Sequence, residues 1–83
     1  MNTKYGPEYY IGDLRAFLDR LRYSEYTDRE GTSLFLFYDP RDEQWHVVSF
    51  ADTGYCNNAA CFNTKREAWR LYIDLIQPDL QGA

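Results

Sequence analysis

The sequence contains few of the residues that carry metal or redox chemistry. It has one histidine and two cysteines in 83 residues. Cys56 and Cys61, with only His46 nearby, do not supply the four ligands of a structural zinc site, and two thiols are too few for a disulfide scaffold. We therefore expect reduced cysteines, as in a cytoplasmic protein, and neither a metal ion nor a cofactor.

Long apolar runs are also missing. Residues 1–7 contain no apolar stretch of the kind that forms a signal peptide, and nowhere do about 18 consecutive apolar residues occur. We expect a cytoplasmic protein that is not associated with a membrane. A chain of 83 residues builds only one hydrophobic core, so residues 1–83 are predicted to form a single domain.

An excess of positive charge is missing as well. Thirteen acidic residues against nine basic ones give a formal net charge of -4. Domains that neutralise nucleic-acid phosphates are normally strongly basic, so direct nucleic-acid binding is not favoured. An acidic surface favours a basic partner, although it also keeps a small protein soluble.

No catalytic motif is recognisable, and we therefore predict a protein without enzymatic activity. His46 has no Ser or Cys nucleophile at the spacing of a catalytic triad. No glycine-rich phosphate loop occurs. Asp39, Asp42 and Glu43 cluster in one short segment, but it contains Pro40 and lacks the glycine-centred pattern of a calcium loop.

Apolar residues at spacings of three and four predict an amphipathic helix over residues 7–23, with its regular part beginning near Asp13. The apolar stripe consists of Ile11, Leu14, Phe17, Leu18 and Leu21. The polar segment 24–31 that follows has no apolar periodicity and ends in glycine, which predicts a loop.

Two runs rich in aromatic and β-branched residues, 32–38 and 44–50, predict a β-hairpin closed by the turn at Asp39 and Pro40. A third strand is placed at residues 59–62. Thr64 and Glu67 form a capping box that begins a second helix, and Pro78 is predicted to end it after Gln77. The expected fold is α+β and two-layered, with the chain order helix, three-stranded antiparallel sheet, helix (α-β-β-β-α).

The first strand of the hairpin is apolar on both faces. Leu34 and Leu36 point to one side and Phe35 and Phe37 to the other, by the two-residue period of a strand. If both helices pack on one face, Phe35 and Phe37 form an exposed patch for a partner or for homodimerisation. The alternative is that the helices lie on opposite faces, or that loops cover the bare one, so that both faces are buried without a partner.

The element order resembles that of the double-stranded RNA-binding domain, and the segment from Thr64 to Ala68 resembles the basic start of that family's second helix. The resemblance implies nucleic-acid binding by Lys65, Arg66 and Arg70. In place of the Gly-Pro-x-His signature that reads the minor groove in that family, this chain has a turn rich in carboxylates, which repel phosphates.

In size, negative charge and missing catalytic motifs the chain also resembles the anti-CRISPR proteins, small phage-encoded inhibitors of bacterial defence. This resemblance implies a basic protein partner, such as a nucleic-acid-binding effector complex, whose basic surface the inhibitor occupies. Carboxylates would speed the encounter, and aromatic and Asn side chains would supply adaptable contacts. The predicted partner-binding residues are Glu25, Tyr26, Asp28, Glu30, Asp39, Asp42, Glu43, Asp52, Tyr55, Asn57 and Asn58.

Overall fold

The computed structural model describes the backbone of residues 5–81 and the side chains of residues 5–76. Residues 1–4, which belong to the segment where no signal peptide is expected, lie outside the described residues. The elements are α1 (Ile11–Leu18), β1 (Tyr23–Thr27), β2 (Ser33–Asp39), β3 (Gln44–Phe50), β4 (Cys56–Phe62) and α2 (Lys65–Gln81). The strands form one antiparallel sheet in the order β1-β2-β3-β4. The α+β class is confirmed, but the sheet has four strands instead of three. Neither described helix is long and apolar enough to cross a membrane.

Helix α1 is shorter at both ends than the predicted span of residues 7–23. Its N-terminal side is drawn into pairing with the chain before β4: the Ile11 amide donates to the Gly54 carbonyl at 2.7 Å, and Tyr10 forms an isolated bridge with Tyr55. After Leu18 the helix ends, and Leu21 packs on the core from the following turn. The apolar spacing correctly predicted which residues pack on the core, but it overestimated the length of the helix.

Strand β1 occupies much of the segment that was predicted to be a loop. It pairs with β2 through the register Glu25 to Phe35 and Tyr26 to Leu34. As an edge strand it is half-buried on alternate residues only, and its apolar content is correspondingly low. The sequence pattern did not predict this strand because its segment has few apolar residues. Backbone pairing with β2 is what holds it in the sheet.

One face of the sheet is covered by α1. Phe35 and Phe37 pack there with Leu14 and Leu18, and both phenylalanines are fully buried. The prediction that Phe35 and Phe37 form an exposed partner or dimer face is therefore wrong. Helix α1 and the chain before it cover that face because its aromatic side chains would otherwise remain in water.

The opposite face is covered by α2. Leu34, Leu36 and Val47 pack there against Ala68 and Tyr72. The predicted two-layer arrangement is wrong, since the sheet lies between the two helices. Side chains of a strand alternate between faces, and each apolar face of β2 requires its own cover.

Helix α2 begins as the capping box predicts. The Glu67 amide donates to Thr64 Oγ1 at 3.3 Å, and the Thr64 hydroxyl donates to Glu67 Oε1 at 2.9 Å. The prediction that Pro78 ends the helix after Gln77 is wrong, because α2 extends to Gln81. Proline removes one backbone hydrogen bond, a local loss that does not interrupt the remaining turn.

Candidate functional site at the acidic end of the sheet

The turn between β1 and β2 and the turn between β3 and β4 lie side by side at one end of the sheet. Antiparallel strands in sequential order place alternate turns at the same edge. The two turns are in contact: a Cβ on Gly31, whose φ is +87°, would lie 3.0 Å from that of Asp52. Asp28, Glu30 and Asp52 are thereby gathered, and we call these three residues the acidic end.

Asp28 also builds the turn that carries it. Its Oδ1 accepts the amides of Glu30 and Thr32, each at 2.9 Å. An Asp side chain that replaces backbone partners in this way fixes a tight turn. Glu30 and Asp52 are exposed, whereas Asp28 is partly buried.

A groove of 370 Å³ lies beside the acidic end, on the α2 face of the sheet. Its floor is one cross-strand row that runs over all four strands, because Tyr26 pairs with Leu34, Leu34 with Ser49 and Ser49 with Asn58. Helix α2 forms the wall. The full lining is Tyr26, Asp28, Thr32, Leu34, Ser49, Asn57, Asn58, Leu75 and Ile76.

The structure brings most of the predicted partner-binding residues to this end of the molecule. Tyr55 lies there too, half exposed, but its ring packs at 5.3 Å from that of Tyr10, away from the groove. Arg29, in the same turn as Glu30, carries an opposing positive charge. The residues at this end are Tyr26, Asp28, Glu30, Asp52, Tyr55, Asn57 and Asn58.

The remaining predicted residues do not join them. Glu25 lies within β1 and accepts two hydrogen bonds from the Arg15 guanidinium, at 3.1 and 2.7 Å. Asp39, Asp42 and Glu43 lie in the hairpin turn at the opposite end. A seven-residue strand separates the two ends by roughly 20 Å. The predicted carboxylates therefore form two groups at opposite ends of the sheet, apart from Glu25 within β1.

Asp39 is not a surface carboxylate. Its side chain is completely buried and accepts a bidentate pair from Arg41, with Nε to Oδ1 and Nη2 to Oδ2 both at 3.0 Å. The Tyr5 hydroxyl donates to Oδ2 at 3.2 Å, and the Arg41 guanidinium lies 3.9 Å from the centre of the Phe17 ring. The assignment of Asp39 to a partner-binding surface is corrected: it holds the hairpin against the N-terminal segment and α1.

His46 is buried beside this cluster. Its Nε2 lies 2.8 Å from Asp42 Oδ2, and its Nδ1 has no hydrogen-bond partner among the described residues. Ligand atoms of Asp39, Asp42 and His46 lie within 4.8 Å of one another, close enough for a metal ion. Because Arg41 already occupies both oxygens of Asp39, a cation would have to displace a bidentate guanidinium, and the arrangement fits a structural role better.

Burial raises the pKa of Tyr5, and the neighbouring Asp39 carboxylate raises it further. In the unfolded chain a tyrosine ionises near pH 10, whereas in the folded protein Tyr5 stays neutral to higher pH. Its stabilising contribution is fully present below pH 10 and is lost as the pH rises above it. We expect the free energy of unfolding to fall by about 1.4 kcal/mol per pH unit from this residue alone.

Urea unfolding of the wild type and Tyr5→Phe across this alkaline range measures the effect. The variant is expected to have a smaller dependence on pH. An equal pH dependence in the two proteins would contradict the assignment to Tyr5.

Several residues that shape these sites carried no signal in the sequence. Arg41 is only two residues from Asp39, but its contact with Tyr5, 36 residues away, joins distant parts of the chain. Leu75 and Ile76 lie within the predicted second helix, but their place in the groove depends on how α2 crosses the sheet. Comparison of the chain with protein-family models, curated proteins and solved structures finds no match.

Proposed function

We propose that this protein is a non-enzymatic binding domain that places its acidic end on a basic surface of a partner protein. The proposal includes inhibition: where that surface binds nucleic acid, the domain competes with it, in the manner of the anti-CRISPR proteins. The observation that carries the proposal is the convergence of Asp28, Glu30 and Asp52 beside a groove with mixed polar and apolar lining.

Charge is the first support. Three carboxylates and one Arg lie in two touching turns, and the exposed acids Glu30 and Asp52 are not buried by any element of the described chain. A local excess of one sign steers a complementary partner and raises the association rate. Asp39, at the opposite end of the sheet, is buried and therefore cannot compete with the acidic end for the same partner.

The groove is the second support. Tyr26, Asn57 and Asn58 offer ring, hydroxyl and amide groups, while Leu34, at its floor, and α2 supply apolar contact. Interfaces combine an apolar centre with a rim of polar and charged groups. A basic side chain with an apolar stem, such as Arg or Lys, fits this combination of a carboxylate rim and an apolar floor.

Charge reversal at the acidic end tests the proposal. Glu30→Lys with Asp52→Lys is expected to slow association with the partner about tenfold at low salt, because steering is lost. The matched control is Asp19→Lys with Glu43→Lys, which changes net charge equally at exposed positions elsewhere. The control should leave the association rate within about twofold.

The partner is identified by capture from a lysate of the source cells on the wild-type protein and both double variants. A partner of the proposed kind is retained by the wild type and the control, is lost from the acidic-end variant, and is released by added nucleic acid. Captured proteins that both variants lose equally, or that nucleic acid does not displace, would contradict the proposal.

A further inference from the structure

Four exposed cations lie around the N-terminal end of α2, three of them on the helix and Arg22 just before β1. Arg22, Lys65, Arg66 and Arg70 form no ion pair in the part of the chain that the structure describes. The nearby Glu67 carboxylate is held by the Thr64 hydroxyl in the capping box. Glu67 and Asp74 lie beside Arg66 and Arg70. The four cations outnumber these two carboxylates on a protein whose net charge is -4.

Exposed aromatic rings lie among these cations. Trp69 is 44% exposed and stacks on Tyr72, with ring centres 5.5 Å apart and planes at 29°. One face of the indole is thus packed, and the open side of the ring lies beside Lys65 and Arg66, which line the same shallow surface.

A groove of 460 Å³ continues this surface across the sheet. Tyr38 and Trp45 lie in it with ring centres 5.3 Å apart, and the exposed Tyr23 and Arg22 border it. Lys65 lines both the groove and the Trp69 surface, and its Nζ lies 5.7 Å from the centre of the Trp45 ring. Lys65 joins the two surfaces, and Arg66 connects them to Arg70. We call the surface formed by Arg22, Tyr38, Trp45, Lys65, Arg66, Trp69 and Arg70 the basic aromatic track.

The combination of cations and exposed rings in the track favours one class of acidic ligand over others. A single-stranded nucleic acid offers both phosphates for the cations and unpaired bases for the rings. A duplex hides its base faces, and an acidic peptide would leave the exposed rings without planar partners. The acidic end lies roughly 20 Å away along the strands, beyond the Debye length of about 8 Å at physiological salt, so its repulsion is screened. Of the acids in the nearer hairpin turn, Asp42 pairs with His46 and Glu43 is exposed to solvent.

We propose that the basic aromatic track binds single-stranded nucleic acid, with a base stacked on Trp69 and others in the groove of Tyr38 and Trp45. Phosphates pair with Arg22, Lys65, Arg66 and Arg70. This site is separate from the acidic end and does not depend on the function proposed for it.

Fluorescence anisotropy with a labelled oligothymidine of about 12 nucleotides tests the proposal. The wild type should bind with an affinity that falls with salt, with a slope of about -3 in log K against log salt for four phosphate contacts. Both tryptophans of the chain belong to the track, so an unlabelled oligomer should also quench the intrinsic fluorescence.

Two variants separate stacking from charge. Trp69→Ala removes an exposed ring and is expected to weaken binding about tenfold while retaining the salt slope. Arg66→Glu with Arg70→Glu should weaken binding further and reduce the slope. Arg29→Glu together with Arg20→Glu, at positions outside the track, changes net charge equally and should retain nearly wild-type affinity.

Four outcomes would overturn the proposal. They are no binding at low salt, equal affinity of the wild type and Trp69→Ala, tighter binding of a duplex of the same length, and equal binding of polyglutamate. Glu30→Lys with Asp52→Lys should still bind the oligomer, which makes failure at the track distinguishable from failure at the acidic end.

Discussion

Replacing Phe35 with alanine should lower the free energy of unfolding by about 3–5 kcal/mol, the usual cost of removing a buried phenylalanine ring. Phe35 is completely buried under α1, where its ring meets that of Phe50 edge-on at 5.7 Å. On the opposite face of the same strand, Leu36→Ala should cost about 2–5 kcal/mol. Because both faces are covered by helices, large losses are expected on both.

Urea unfolding monitored by circular dichroism measures these losses. A domain of this size has a total stability of roughly 4–12 kcal/mol, so Phe35→Leu, which removes less volume, provides a variant that remains folded. Tyr38→Ala, on the same strand but exposed, is the matched control and should cost much less. If Phe35→Ala were tolerated as well as Tyr38→Ala, the sheet could not lie between two helices.

Arg41→Ala is expected to cost about 3 kcal/mol, more than a typical surface arginine. The Asp39 carboxylate is fully buried, and removal of the guanidinium leaves its charge without the bidentate partner. The Tyr5 hydroxyl remains as a hydrogen-bond donor but cannot neutralise it. Arg41 also loses its contact with the Phe17 ring.

A double-mutant cycle with Asp39→Ala separates the charge from the packing. Arg41→Ala with Asp39→Ala should be less destabilised than the sum of the single variants, since no buried charge is then left unpaired. Arg41→Lys keeps the charge without the planar fork and should fall between the wild type and Arg41→Ala. Strictly additive losses would contradict a direct pair.

The elements that were correctly predicted are those defined by local patterns. The hairpin of β2 and β3 follows from two aromatic runs with a turn at Asp39, and the start of α2 follows from the reciprocal bonds of Thr64 and Glu67. Both depend on residues close in sequence, so the chain specifies them without reference to the rest of the fold.

The acidic surface shows where local reasoning fails. Asp28, Asp39 and Asp42 look equivalent in the sequence, yet Asp28 lies at one end of the sheet, Asp39 is buried under Arg41, and Asp42 pairs with His46. The three carboxylates differ in burial and in hydrogen-bond partners, which the residue type alone does not reveal.

The sequence by itself determined the α+β class, the capping box of α2 and a β2 strand that is apolar on both faces. Only the tertiary structure decided that a helix covers each face, that β1 joins the sheet and that Asp39 is buried against Tyr5. The physical reason is that these features depend on contacts between residues distant in the chain. Apolar patterns specify that a face must be buried, but the packing of the whole chain determines what buries it.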